Sequence, residues 1–451
     1  MNIKMPIGVE NILNKLERCG FEAYAVGGCV RDSILGRMPS DWDITTSALP
    51  NDVEKCFEKT YATGIEHGTI TVLIDKESFE ITTFRTEEGY TDFRRPDKVN
   101  FVRNLAEDLK RRDFTINAMA YNKTAGLVDL FNGAGDLKNG IIRAVGNPVE
   151  RFSEDALRML RAVRFAARLG FNIESETSDG ICKCAPLISK ISKERIREEL
   201  SGILLSPNPN YIAKLYDLGV LQYILPDLSK CFETPQNNPY HIYDVGKHTM
   251  ETLRNSAPDL CVRWAMLLHD TGKAYTRTTD SKNIDHFYGH DKISLKITEK
   301  VMNEFKFDNE SKKKILLLVK LHDSKISPQE KAVRSAINKI GEENLRLLIA
   351  VKRADSLGKN IKKASKNIAE LDVLEDVLNK VIQNNQCTSL KTLDIDGSFL
   401  ISLGIPEGPV IGCILNKLLD KVIEAPELNN RASLSNEAIK IYDNIKVDLN
   451  K

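Results

Sequence analysis

The stretch Gly27-Gly28-Cys29-Val30-Arg31-Asp32, followed closely by Ser40-Asp41-Trp42-Asp43, sets the reading of the whole chain. Two glycines ahead of a helix start make a loop of free backbone N–H groups, which suits phosphate oxygens. Asp41 and Asp43 stand two apart, so on a strand both carboxylates point to the same face. A carboxylate pair facing a phosphate cradle is a way to hold Mg²⁺ against a triphosphate. Nucleotidyl transfer is the chemistry this combination suggests.

Working outward, the residues around this stretch alternate between the two periodicities. Residues 9–19 have a helical period, 23–26 read as a short strand, 32–35 begin a helix and 41–45 read as the next strand. Residues 69–75 and 79–85 are β-rich runs that Lys76-Glu77-Ser78 joins as a hairpin. Residues 87–98 are polar, with Gly89 and Pro96, and read as a flexible loop. Glu80, in Phe79-Glu80-Ile81-Thr82-Thr83, falls on the expected neighbouring strand. It is either a third catalytic carboxylate beside Asp41 and Asp43 or an exposed strand residue.

The chain has 451 residues, room for two to four domains. Lys plus Arg number 64 and Asp plus Glu 63, so any nucleic-acid surface must be a local patch. Hydrophobics at 42% and charged residues at 28% are ordinary for a soluble protein. Met1-Asn2-Ile3-Lys4-Met5-Pro6 has no apolar signal core, and no apolar run approaches a membrane span. The nine scattered cysteines read as reduced, mostly buried thiols of a cytoplasmic protein. From Ser153 onward nearly everything has a helical pattern, punctuated by Pro207, Pro209, Pro226, Pro235 and Pro239. The expected fold is α+β: a small mixed α/β head followed by a long helical body.

Two further clusters carry chemistry. Lys110-Arg111-Arg112-Asp113-Phe114-Thr115-Ile116-Asn117 offers cations for phosphates and an amide for a sugar or base. Its plain alternative is a basic helix start with a capping Asn. In Glu154-Asp155-Ala156-Leu157-Arg158-Met159-Leu160-Arg161-Ala162-Val163-Arg164-Phe165, Asp155 and Arg158 are spaced to share a helix face. Together they would present an acceptor and a donor to a base edge, or else form an intrahelical ion pair.

These clusters, with Asp129-Leu130-Phe131-Asn132-Gly133-Ala134-Gly135-Asp136-Leu137 between them, resemble the class II tRNA nucleotidyltransferases of the polymerase-β-like superfamily. The motifs stand in that family's order, and the likeness runs from about Val26 to Leu225. The resemblance implies that Asp41 and Asp43 hold the catalytic metals and that Gly27, Gly28, Arg31 and Asp32 meet the triphosphate. It implies nucleotide binding by Arg111, Arg112, Asp113, Asn117, Arg161 and Arg164. The Watson–Crick edges of CTP and ATP would fall to Asp155 and Arg158. The partners implied are tRNA, CTP and ATP, the cofactor Mg²⁺, and the reaction addition of CCA to the tRNA 3′ end without a template. The segment 129–137 resembles a hinge between head and neck. Residues 85–96 resemble the loop that family members adding the terminal A possess. An A-only enzyme and a poly(A) polymerase are alternatives within the family; the latter usually carries a basic C-terminal extension, absent here.

Six of the seven histidines lie between His241 and His322. His248, His269-Asp270, His290 and His322-Asp323 suit a divalent metal that activates water for phosphoester hydrolysis. The pattern resembles the HD domain, a metal-dependent phosphohydrolase module. The ligands it implies are His248, His269, Asp270 and Asp323, with His290 and His322 as second-metal ligands and Asp355 competing with Asp323. Such a hydrolase as the main activity is a rival reading.

The organisation that follows is a head at 1–147 and a helical neck at 148–235. An HD domain at 236–370 and a helical tail at 371–451 complete an elongated all-α remainder. The tail, through Asp396-Gly397, Gly412 and Asn430-Arg431, resembles the part of the family that grips tRNA. Lys312-Lys313-Lys314 and Lys359, Lys362, Lys363 and Lys366 would contact tRNA phosphates, or be a solvated face.

Overall fold

The computed structural model describes residues 2–89, 98–238, 243–359 and 361–449. The chain divides into two compact units, residues 1–233 with 300–307, and 234–299 with 308–451. The first unit opens with α1 (Ile7–Arg18), whose Val9, Ile12, Leu13 and Leu16 fall on one face and are buried. They pack with Ile44, Ile70, Val72 and Ile81 of the sheet into one core.

The described residues form a seven-stranded sheet in the order β3-β4-β5-β2-β1-β8-β9. Its strands are β1 (Ala23–Val26), β2 (Ile44–Thr46), β3 (Thr60–Gly64), β4 (Thr69–Ile74), β5 (Glu77–Thr83), β8 (Met119–Asn122) and β9 (Gly126–Asp129). Strands β6 (Arg85–Glu88) and β7 (Lys98–Phe101) pair separately. Helices α2 (Gly28–Ile34), α3 (Pro50–Cys56), α4 (Leu105–Lys110) and α5 (Gly133–Asn139) complete this part. Strand β2 sits between β1, antiparallel to it, and β5, parallel to it with Ile44 opposite Ile81.

The local predictions shift in four places. Helix α2 begins at Gly28, not at residue 32, because Gly27 takes φ 80° and turns the chain directly into it. Strand β2 starts at Ile44, so Asp41 and Asp43 lie just ahead of it; the Val26 N–H still donates to the Asp43 carbonyl at 3.0 Å. The turn of the β4–β5 hairpin is Asp75-Lys76, both at positive φ, and Glu77 and Ser78 already belong to β5. Residues Glu87 and Glu88 belong to β6 and Lys98 to β7, while residues 90–97, on which most of the expected flexible loop falls, lie outside the described residues.

Helices follow: α6 (Pro148–Glu154), α7 (Leu157–Leu169), α8 (Ser175–Cys184), α9 (Lys193–Leu204), α10 (Ile212–Asp217), α11 (Leu221–Ile224) and α12 (Pro226–Cys231). In the second unit, α13 (Val245–Arg254), α14 (Leu260–Leu268) and α15 (Lys273–Thr276) precede α16 (His290–Glu304), α17 (Asn309–Leu321), α18 (Glu330–Ile340), α19 (Glu342–Leu357) and α20 (Ile361–Gln383). Asp244, Asp259 and Asp308 cap α13, α14 and α17 by accepting from N–H groups of the first turn. Helices α21 (Gly397–Ser402), α22 (Pro409–Glu424) and α23 (Arg431–Leu449) close the chain around Leu400, Ile414, Leu418 and Val422. The expected α/β head and helical remainder are both present. Among the described residues no helix is long and apolar enough to cross a membrane. Of the nine free thiols, Cys19, Cys182 and Cys413 are exposed and four are buried, so the thiols are less uniformly buried than expected.

Candidate functional site

In the first unit the phosphate-cradle glycines, the carboxylates and the arginines converge. Gly27 is favoured by its φ of 80°, and a Cβ there would lie 3.1 Å from an Arg112 Nη1. Asp43 and Glu80 each stand one residue ahead of the paired Ile44 and Ile81, which brings them opposite one another across β2 and β5. Asp43 stays open to solvent. Crowding by protein atoms lifts its carboxyl above the ordinary value, Arg112 pulls it back, and Asp41 and Glu80 push it up further. Carboxylates gathered against their own repulsion, with one guanidinium nearby, fit a divalent cation.

Behind them runs a continuous polar network. Arg31, 4% exposed, donates from Nε to Asp32 Oδ1 at 2.8 Å and from Nη1 to Asn117 Oδ1 at 2.6 Å. Asn117 donates to Asp113 Oδ1 at 3.0 Å, and Arg161 grips Asp113 Oδ2 at 2.7 and 2.9 Å. Burial alone would raise Asp113; the Arg161 guanidinium overcomes it and holds the carboxyl at about 2. The guanidinium carbons of Arg31, Arg161 and Arg164 lie 5.2, 5.4 and 4.7 Å from the ring centre of Phe165. This stack concentrates positive charge that anionic phosphates can use.

Three residues here escaped the sequence reading. Asp108, fully buried, accepts from Arg111 at 2.8 Å and Arg112 at 3.3 Å and so aims both. Its spacing three and four residues ahead of them was the available signal. Glu199 of α9 holds Arg164 at 2.6 Å. Arg195, also on α9, holds Asp155 at 3.1 Å. No local pattern reports those two.

Asp155 and Arg158 do not share a helix face. Asp155 ends α6 with extended backbone (φ −133°, ψ 103°), and its Oδ1 accepts from the Leu157 N–H at 3.0 Å at the start of α7. An Asp that bonds the backbone this way competes with helix continuation. Arg158 donates instead to Glu154 at 2.7 Å and to the Arg111 carbonyl at 3.2 Å.

The segment 129–137 is a tight junction. The Asp129 carboxylate accepts from the Gly133 and Ala134 N–H groups at 2.7 and 2.9 Å. A Cβ on Gly133 would fall 2.3 Å from the Thr115 carbonyl oxygen, so this glycine serves close approach.

In the second unit, the histidines form one cluster. The Nδ1 atoms of His248, His269, His290 and His322 each meet a backbone carbonyl, those of Gly358, Met266, Phe287 and Val319, at 3.1, 2.8, 2.9 and 2.7 Å. Nδ1–H donation fixes the tautomer and leaves each Nε2 as a lone-pair ligand. His248 Nε2 stands 3.1 Å from Asp355 and 3.5 Å from Asp270, and His269 Nε2 is 3.2 Å from Asp270. His290 Nε2 is 3.5 Å from the other Asp270 oxygen and His322 Nε2 3.9 Å from it. His269 Nε2 and His290 Nε2 are buried with no hydrogen-bond partner. Orphaned imidazole lone pairs around shared carboxylates fit divalent metal.

Asp355 is the buried carboxylate beside His248 and His269, whereas Asp323 lies near His290 and His322 with its side chain 56% exposed. Burial would raise Asp355, yet Lys359 and His248 hold it well below the usual carboxylate range. Lys359 is thus engaged with Asp355, and Lys314 pairs with Glu310 and Glu343, so neither is a free cation of a solvated face. The side chains of Lys362 and Lys363 lie outside the described residues.

Residues 23–143 match the family described as Poly A polymerase head domain, 170–232 the probable RNA and SrmB-binding site of polymerase A, and 240–359 the HD domain. The chain is 39% identical over 428 residues to the CCA-adding enzyme of Lactobacillus delbrueckii subsp. bulgaricus, covering 94% of this chain and 95% of that one. With the CCA-adding enzyme of Lactobacillus helveticus it shares 38% over 437 residues, 96% of this chain and 95% of the relative. Its fold matches the crystal structure of the Bacillus stearothermophilus CCA-adding enzyme in complex with CTP, with TM-score 0.74, 28% identity and full coverage of both chains.

Proposed function

This chain belongs to the CCA-adding enzyme family, and we propose that it extends tRNA 3′ ends with C, C and A, using CTP and ATP. The convergence of Asp41, Asp43 and Glu80 beside the Gly27 turn and Arg112 carries this reading. The tRNA 3′-oxygen bonds to the α-phosphorus, the α–β phosphoanhydride breaks, and pyrophosphate leaves. Asp41 and Asp43, with Glu80 beside them, would hold divalent metal, Mg²⁺ in this reading. When bound, the ion supplies charge neutralisation at the triphosphate and acidifies the attacking hydroxyl. Arg31, Arg112, Arg161 and Arg164 gather the triphosphate charge; Asp32 and Asn117 align Arg31, Asp113 aligns Arg161, Asp108 aligns Arg112 and Glu199 aligns Arg164. Cytoplasm, where tRNA is matured, is the compartment we assign.

Base selection rests on donor and acceptor chemistry. Cytosine and adenine both carry an exocyclic amino donor where uracil and guanine carry a carbonyl acceptor. A carboxylate at Asp155 accepts from the amino groups and repels the carbonyls, while Arg158 donates to the neighbouring ring nitrogen. The residue pair therefore admits CTP and ATP and excludes UTP and GTP.

The test supplies purified protein and Mg²⁺ with tRNA lacking CCA. Growth by two residues with CTP, and by three with both nucleotides, is expected. A single residue from ATP only on tRNA already ending in CC would make it an A-adding enzyme, and long A tracts a poly(A) polymerase.

The histidine geometry favours a second reading alongside the first: the HD unit is a metal-dependent phosphohydrolase. His248, His269, Asp270 and Asp355 would hold one divalent ion, and Asp270, His290 and His322 a second. Turnover of a phosphoester should vanish in His269→Ala and persist in Asp41→Ala; turnover in His269→Ala would refute the assignment.

A further inference from the structure

Beside the histidine cluster lies a cavity of about 220 Å³, lined among others by Asp270, Lys273, Phe287, Tyr288, His290 and Lys359. Lys273 is buried, with its ammonium on Asp270 at 2.6 Å and Gln236 at 2.9 Å, 5.5 Å from the Phe287 ring centre. Lys359 stands across from it on Asp355. Two ammonium groups beside metal-type ligands suit a phosphate.

At the rim stands an aromatic feature that phosphate binding alone does not require. Tyr288 is 78% exposed, unusual for so large a ring. It is nonetheless held in place. Its ring lies parallel to that of His286, with centroids 5.4 Å apart and 5° between planes, and its hydroxyl is 3.4 Å from His286 Nδ1. His286 Nε2 is fixed by Asp280 at 3.0 Å, and Asp280 itself accepts from the Lys282 and Ile284 N–H groups. The strand pair Thr278–Thr279 and Asp285–His286 carries this arrangement, pinned by the buried Asp285, which accepts from the Asn237 N–H at 2.8 Å. A pre-set, open aromatic plate next to a phosphate cavity is what a nucleobase stacks on.

We propose that Tyr288, backed by His286, is a base-stacking plate that makes the HD site selective for a phosphate-bearing nucleoside. The phosphate lies at Lys273 and Lys359 and the base on the Tyr288 ring. The shared chemistry is a nucleoside phosphate, whether a free mononucleotide or the end of an RNA strand. The proposal rests on the phosphohydrolase reading of this unit.

Ribose 5-phosphate is AMP with the base replaced by the anomeric hydroxyl, so their ratio, compared between the wild type and Tyr288 variants, isolates the plate. With Mn²⁺-loaded full-length protein, kcat/KM for AMP should exceed that for ribose 5-phosphate by about tenfold or more, in line with the ~5- to 150-fold that base stacking supplies. Tyr288→Ala should collapse that ratio, and Tyr288→Phe, which keeps the ring, should restore it. An unchanged ratio in Tyr288→Ala overturns the proposal. A readout independent of turnover is nitration of Tyr288 by tetranitromethane, followed by mass spectrometry with the exposed Tyr61 as internal control. AMP, and not ribose 5-phosphate, should protect Tyr288; equal nitration with both overturns the plate. Protection without hydrolysis of either compound keeps the plate and sinks the phosphohydrolase reading. Stronger protection by a short oligoribonucleotide with a terminal 3′-phosphate than by AMP assigns the site to strand ends, and the reverse to free nucleotides.

Discussion

Asp155 is held by Arg195 of α9, Oδ2 to Nη2 at 3.1 Å, and not by Arg158 three residues further on. The carboxylate proposed to read the base is thus oriented by a helix distant in sequence, while Arg158 is fixed by Glu154 at 2.7 Å. Removing Arg195 should leave the carboxylate held only at Oδ1, by the Leu157 N–H, with Oδ2 released. Arg195→Ala is expected to lower discrimination of CTP and ATP over UTP and GTP by about 10-fold, roughly one hydrogen bond to a charged group. Arg195→Lys should recover part of it. Misincorporation assays with each nucleotide alone check this, and unchanged selectivity would remove Arg195 from the readout.

Asp43 and Glu80 meet across β2 and β5, and Asp41 lies close by. Asp41→Ala and Asp43→Ala should each reduce nucleotide addition by at least ~10³-fold, as loss of metal-held transition-state stabilisation does. Both positions are exposed, so thermal stability should stay within about 0.5 kcal/mol. Glu80→Gln should be milder. Gel assays beside calorimetry separate activity from fold; wild-type addition in either Asp variant would refute the metal assignment.

Asp113 gives a pH dependence with a definite sign. Its folded value of about 2 lies below the ~3.9 of an unfolded Asp. The partners of the Asp113 carboxylate, Arg161 foremost with Asn117 and Arg158, therefore contribute about 2–3 kcal/mol above roughly pH 4, lost progressively as pH falls toward 2. Asp113→Asn should flatten that acid limb and lower stability at neutral pH. Urea midpoints at pH 7, 4 and 3 measure both, and an unaltered acid limb in the variant would show that other carboxylates dominate.

The imidazole lone pairs predict a second, head-independent metal response. After chelation, Mn²⁺ or Zn²⁺ should raise the melting temperature of the wild-type protein, and His269→Ala or Asp355→Asn should abolish the increment. The same variants should add CCA with Mg²⁺ within about twofold of wild type, since neither residue belongs to the set proposed for nucleotide addition. Loss of the thermal increment in Asp323→Asn but not in Asp355→Asn would reverse the ligand choice.

Gly133 offers a purely steric prediction. A methyl group there would meet the Thr115 carbonyl at 2.3 Å, so Gly133→Ala should destabilise by about 1–3 kcal/mol through forced backbone shift. Chemical denaturation checks it. A neutral effect would mean that the turn yields freely, as a hinge would.

The sequence by itself determined the α/β head and the helical remainder, and it supplied the candidate residues of each cluster. Those features are local: periodicity places strand 23–26 and a helix over 9–19, found at Ile7–Arg18, and glycine beside closely spaced carboxylates suggests phosphate and metal chemistry. Clustering along the chain also carried the candidate histidines, since six of the seven lie between His241 and His322. What only the tertiary structure decided is which residue faces which. Asp355 is 107 residues from His248, Arg195 is 40 from Asp155 and Glu199 is 35 from Arg164. No periodicity spans such distances, and side-chain pairing at them is set by how whole helices pack. The break of the helix at Asp155 is the same lesson in miniature. Its i, i+3 spacing with Arg158 promised one face, but a carboxylate that could bond the Leu157 N–H, with Arg195 waiting on α9, found a better partner in three dimensions.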